Sequence, residues 1–143
     1  MAVPVIAELK KWGGESLAAV EIIDSPPGAS CPVVEALRGV DYVLLVTEPT
    51  PFGLHDLKQA LQVTRELGLG AGVIINRVGL GEADIKGFCQ EQGVPVLMEI
   101  PLDRKIGEGL ARGLSLLEID PEYKTRLADL WSNMLASSQV VML

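Results

Sequence analysis

Aromatic residues are scarce in this chain of 143 residues: two Trp, two Tyr and two Phe make up 4%. The 48% that is hydrophobic is therefore mostly Val, Ile, Leu and Ala, the texture of a parallel sheet buried on both faces. Basic residues are also in deficit. Twelve Lys and Arg against 19 Asp and Glu leave a net charge of -7, the wrong sign for a surface that must neutralise many phosphates. A nucleic acid partner is excluded on that ground. Cys31 and Cys89 are the two cysteines and His55 the one histidine, too few and too scattered for a disulfide framework or a closed zinc site. A reducing, cytoplasmic setting is expected. No stretch stays uncharged for the eighteen or so residues of a membrane span, and Met1 to Glu8 lacks the basic start and long apolar run of a signal peptide. No membrane partner is expected, and the length suits a single domain over residues 1–143.

What is present alternates. Four short apolar runs, Ala19 to Ile23, Tyr42 to Thr47, Ala71 to Ile75 and Val94 to Ile100, are rich in β-branched residues and bounded by Gly, Pro, Asp or Asn, which predicts strands. Between them Leu54, Leu57, Leu61 and Leu67 mark one face of a helix ended by Gly68. Ile85, Phe88 and Cys89 share a face of another that stops before Gly93. Tyr123, Leu127, Leu130, Trp131, Met134 and Leu135 recur at helical spacing behind Asp120-Pro121, predicting a closing helix that packs back on the sheet. Gly79, Gly81, Gly107, Gly109 and Gly113 read as turns. The order predicts an α/β fold, a mostly parallel sheet with helices on both faces.

In such a sheet, ligands bind at the carboxyl ends of the strands. The residues that follow the four runs are Asp24 to Pro32, Thr47 to Pro51, Asn76-Arg77 and Pro101 to Arg104, all on one rim. A carboxylate such as Asp24 at a strand end can hold a metal-bound water, and Gly28 lets a backbone N–H approach a phosphate oxygen. A stiff Pro26-Pro27-Gly28 turn capped by Asp24 explains the same residues equally well.

Taken in order and spacing, Ile22-Ile23-Asp24-Ser25-Pro26-Pro27-Gly28, Val46-Thr47-Glu48-Pro49-Thr50, Ile74-Ile75-Asn76-Arg77 and Ile100-Pro101-Leu102-Asp103 resemble the C-terminal half of MinD/ParA-type P-loop ATPases. The resemblance spans roughly residues 18 to 136. It is strongest to the MinD-like branch with an inserted ferredoxin domain, related to the nitrogenase iron protein. It implies a partial P-loop NTPase fold, ATP or ADP with magnesium as ligands, and an iron–sulfur or ferredoxin-like protein as one partner to consider. By that resemblance Asp24 acts through water on the magnesium and Gly28 faces the terminal phosphate, the two catalytic positions. Asn76, with its neighbour Arg77, reads the adenine edge, and Pro101, Leu102 and Asp103 cover the base. The chemistry suits Asn, whose amide offers a donor and an acceptor side by side; a helix cap or turn residue is the alternative for Asn76, less favoured given the motifs around it.

The family's nucleotide site opens with a Gly-rich loop of the K-G-G-x-G-K-[ST] kind. Lys10-Lys11-Trp12-Gly13-Gly14-Glu15-Ser16 has no G-K-[ST], so no lysine stands over the β- and γ-phosphates; it reads as a helix C-terminus and a turn. Phosphoryl transfer rests on positioning and electrostatics, so hydrolysis by this chain alone is not expected. Two histories fit, a truncated or split ATPase and a degenerate relative kept as a dimerisation or docking module. Cys31 follows Asp24 by seven residues, the spacing of one cluster ligand in the nitrogenase iron protein. The second ligand position holds no cysteine, so a cluster is not expected and Cys31 reads as a small buried residue at a helix start. His55 reads as a surface residue, and Val140 to Leu143 as a frayed or packed end rather than a membrane tail.

In the family, the strand before the phosphate loop lies between those ending at Asp24 and Thr47. This chain shows no replacement for it. Either the two flanking strands pair directly or each leaves an apolar edge. A homo-oligomer follows, most simply a dimer, with the Asp24–Cys31 loop or those edges near the interface; face-to-face dimerisation in the family points the same way.

Overall fold

Three parallel strands in the order β1-β2-β3 make the only sheet among the described residues, which in this computed structural model are 2–14 and 20–138. The strands are β1 (Tyr42–Thr47), β2 (Gly70–Val78) and β3 (Val96–Pro101). Val43, Leu45 and Thr47 stand beside Ala71, Val73 and Ile75, and Val46 beside Ile74, so residues two apart share a face. On one face Val73 and Ile75 meet Leu57 of α3 (Pro51–Glu66) and Ile85 and Cys89 of α4 (Ile85–Gln92). On the other, Ile74 and Met98 meet Tyr123 and Leu130 of α7 (Tyr123–Ser138), with Ile106 of α5 (Arg104–Ala111) and Leu116 of α6 (Leu116–Ile119) beside them. Helices thus cover both faces, as the alternating pattern predicts.

Local signals fix the helix ends. Thr50 accepts the Gly53 N–H at 3.0 Å with Pro51 as first helical residue, and Asp84 accepts the Gly87 N–H at 2.7 Å. Gly93 closes α4 with φ of 64°, a left-handed turn that costs glycine nothing. Asp120 Oδ1 accepts the Glu122 N–H at 3.1 Å, so the predicted cap works, although α7 starts two residues beyond Pro121.

Four expectations need correction. Val20 to Ile23 form no strand, Ala19 lying outside the described residues; with no neighbour on which to build a ladder, Ile22 stands 89% exposed. Gly107 and Gly109 are helical rather than turn residues; position 109 calls for glycine because the Ile119 side chain fills the space a Cβ would take. Asn76 and Arg77 lie within β2, not beyond it, in a bulge where pairing to β3 slips between Ile75 and Val78. Cys31, the first residue of α2 (Cys31–Leu37), is exposed rather than buried; α2 turns Val33 and Ala36 inward instead. Helix α1 (Ala2–Gly14) packs on α2 and takes in Lys10 to Gly14, while Glu15, Ser16 and the Val140–Leu143 tail lie outside the described residues.

Candidate functional site

The carboxyl ends of β1, β2 and β3 form the rim. At β1, Thr47 is buried and its Oγ1 donates to the Gly53 carbonyl at 2.8 Å, tying the strand end to the first turn of α3. Glu48 follows and reaches across to β2, where its Oε1 lies 3.2 Å from Arg77 Nη1. The pair is largely solvated, worth about 0.2–1 kcal/mol, so it orients more than it stabilises. Sequence reasoning quoted Glu48 without a role; no spacing rule links it to Arg77, since the bulge alone brings them together.

That bulge is unusual. Arg77 has φ of 53°, the one non-glycine residue with positive φ among those described, a conformation rare outside Gly, Asn and Asp. Asn76 supports it, its Oδ1 accepting the Arg77 N–H at 3.0 Å. The carboxamide is half-buried; Nδ2 is its donor, and Oδ1 retains a second lone pair. A purine edge asks for that combination, so Asn76 fits the role that the resemblance implies.

Pro101 ends β3, and the Leu102 N–H donates to the Val78 carbonyl at 2.9 Å, which fastens the next loop to the bulged strand. Asp103 then caps α5, its Oδ1 accepting the Lys105 N–H at 2.7 Å. Pro101, Leu102 and Asp103 are all exposed. The structure thus brings Asn76 and Arg77 together with Pro101 to Asp103. The loop from Gly79 to Ala83 folds over the end of β1, the Ala83 N–H donating to the Pro49 carbonyl at 3.3 Å.

Asp24 and Gly28 lie apart from any strand, in an extended and bent stretch. Asp24 is exposed, and Gly28 has φ of 90° with open space where a Cβ would stand, so the turn requires glycine for its backbone and not for close packing. Among the described residues no three His, Cys, Asp or Glu side chains converge on a metal position. One exposed carboxylate acting through water on a nucleotide-bound magnesium needs no such cage, so Asp24 fits that outer role. An iron–sulfur cluster does not fit. Cys89 is buried between α4 and the sheet, where desolvation pushes its thiol pKa up, and Cys31 is exposed on α2, so the two cannot share a centre.

His55 is exposed on α3, with Nε2 3.0 Å from Gln59 Nε2. A groove of about 320 Å³ lies away from the rim, between β3 and α7. Arg126 crosses it to the Glu99 carbonyl and stacks over the Tyr123 ring at 4.5 Å, which protects the β3 edge.

No family model matches the chain. It is 35% identical over 114 residues, 80% of its length, to the uncharacterised protein MJ0579 of Methanocaldococcus jannaschii, covering 39% of that protein. A second uncharacterised protein of the same organism, MJ0578, is 20% identical over 91% of this chain and 45% of its own. The cytosolic Fe-S cluster assembly factor NBP35 of Kluyveromyces lactis is 29% identical over 71% of this chain and 37% of its own. The chain therefore spans less than half the length of these relatives. The crystal structure of the cell division ATPase MinD of Pyrococcus furiosus superposes with a TM-score of 0.69 at 27% identity, over 90% of this chain and 55% of that one. No helix among the described residues is long and apolar enough to cross a membrane. The parallel sheet, its rim and these similarities together make the chain a MinD/ParA-like α/β domain with the fold of a P-loop ATPase.

Proposed function

We propose that this chain is a single nucleotide-binding domain carrying the base-side and switch-side parts of a MinD/ParA-type ATP site without its phosphate-binding loop. On this reading it binds adenine nucleotide weakly, as ATP or ADP with magnesium, and does not hydrolyse it alone. The observation that carries the reading is the bulge of β2. It sets the Asn76 carboxamide at the rim beside the Pro101–Asp103 loop, which the Leu102–Val78 hydrogen bond holds in place.

Asn76 would hold the base edge, Arg77 and the Pro101–Asp103 loop would flank it, and Asp24 would orient water on the magnesium. Magnesium, when bound, supplies charge neutralisation at the phosphates. A lysine over the β- and γ-phosphates is the contact that the chain lacks, which removes the largest electrostatic contribution to phosphoryl transfer. Hydrolysis then requires that contact from outside residues 1–143. A homo-oligomer in a cytoplasmic setting, with an iron–sulfur or ferredoxin-like protein as a further partner, completes the proposal.

Isothermal titration with Mg-ATP tests it. Micromolar binding with no phosphate release supports the reading. No heat at millimolar nucleotide favours a docking module instead, a reading that the exposed apolar residues before Asp24 support.

A further inference from the structure

Two arginines stand on the rim, and a carboxylate engages each. Arg104 Nε lies 2.6 Å from Glu108 Oε1, one turn along α5, an ordinary pair on a helix surface. Arg77 Nη1 lies 3.2 Å from Glu48 Oε1, and among the described residues Arg77 is the one cation paired with Glu48. This second pair joins the ends of two strands beside Asn76, and the backbone is fixed at both of its ends. The Glu48 carbonyl accepts the Thr50 N–H at 2.8 Å and abuts the first turn of α3, where a Cβ on Gly53 would collide with it. The Arg77 N–H is held by Asn76 Oδ1 at 3.0 Å, and its carbonyl accepts the Leu80 N–H at 2.9 Å. The Arg77 side chain itself is 57% exposed, so the pair rather than packing holds the guanidinium.

The purines differ where such a group counts. Adenine presents an amino donor at its six position beside a ring-nitrogen acceptor, whereas hypoxanthine and guanine present a keto acceptor beside an N–H donor. A carboxamide has one donor and one acceptor, as each of these edges does, so Asn76 by itself does not choose between them. A guanidinium does choose. It has five N–H donors and no acceptor, and it takes the keto oxygen and N7 of a purine as a bidentate pair. Arg77, next in the chain to Asn76, favours a keto purine once released. Glu48 engages it, and an ionised carboxylate only accepts hydrogen bonds, so it also repels a keto oxygen placed in the same corner.

Given the nucleotide reading of this rim, on which the inference rests, we propose that Glu48 is a positioning residue that sets base specificity. By holding Arg77 across the strand ends it withholds the guanidinium from the base edge, and the site selects adenine over keto purines. Asn76 reads the base; Glu48 acts through Arg77. The selection works by exclusion, since the group that would reward the wrong base is already occupied.

Calorimetry of the full chain with Mg-ATP and with the magnesium complex of inosine triphosphate tests this, because the two bases differ only at the six position and the N1 proton beside it. The parent should bind Mg-ATP at least about tenfold more tightly than the inosine nucleotide. Glu48→Ala should release Arg77 and tighten the inosine nucleotide, so that the ratio falls at least about fivefold. Adding Arg77→Ala to that variant should abolish the gain. A Glu48 that served stability alone would weaken both nucleotides alike and leave the ratio unmoved. The pair is on the surface, so far-UV circular dichroism of the variants should match the parent. Binding of Mg-ATP without preference in the parent, a ratio unmoved by Glu48→Ala, or a gain that survives the loss of Arg77 would each overturn the role of Glu48 and leave the nucleotide reading standing. Absence of binding by either nucleotide at millimolar concentration would overturn both.

Discussion

Arg77 Nη1 stands 3.2 Å from Glu48 Oε1, and the contact accompanies a φ of 53° at Arg77, one residue before the end of β2. Backbone strain and side-chain pairing can be separated here. Arg77→Gly, which relieves the strain and loses the pair, should leave stability within about 1 kcal/mol of the parent. Arg77→Val, which also loses the pair but adds β-branching at positive φ, should cost about 1–2 kcal/mol. Urea unfolding midpoints check the order; equal losses in both variants would make the pair, not the backbone, the main contribution.

Asn76 has two tasks in this account, holding the Arg77 N–H and reading a base. Asn76→Ala should weaken adenine nucleotide binding by about 1–3 kcal/mol and also loosen the bulge. Asn76→Asp keeps the acceptor for Arg77 but loses the donor to the base, so it should retain the parent's stability and still lose affinity. Calorimetry beside urea unfolding separates the two. Unchanged affinity in both variants would remove Asn76 from the site.

Much of this arrangement is legible in the sequence. Tyr42–Thr47 matches β1 as expected, and the leucines of α3 and the Ile85–Cys89 face land in the core, because alternating burial leaves a strong periodic signal. The bulge is not legible, since a positive φ at arginine depends on tertiary contacts and on no residue-type preference. Val20–Ile23 reads as a strand and is not one, because β-propensity becomes structure only beside a pairing strand. Likewise the apolar pattern of α7 does not tell Leu130, which meets the sheet, from Trp131, which does not.

Gly81 should tolerate no side chain. A Cβ there would overlap the Pro49 carbonyl oxygen, a backbone atom that cannot move without shifting the end of β1. Gly81→Ala should cost about 1–3 kcal/mol, whereas Gly107→Ala, with open space at the Cβ position on α5, should gain up to about 1 kcal/mol. Thermal unfolding of the two variants gives the comparison; a neutral Gly81→Ala would mean that this loop does not pack on Pro49.

The two thiols should behave oppositely. Cys31 is exposed and should react with a thiol reagent at once, while Cys89, buried, should react only as the chain unfolds. Burial raises the Cys89 pKa, so the unfolded chain loses that proton at lower pH than the folded one. Stability from this group is therefore full below the ordinary thiol value and declines as pH rises above it, toward the raised folded value. Cys89→Ala should remove that alkaline decline; two fast thiols in the native protein would contradict the packing described.

The most direct test of the account is amide shift mapping of the ¹⁵N-labelled chain titrated with Mg-ATP. Saturable shifts at Asn76, Arg77, Leu102 and Asp103, with none in the groove between β3 and α7, are the predicted result. An unchanged rim at millimolar nucleotide, or shifts confined to other surfaces, would contradict it.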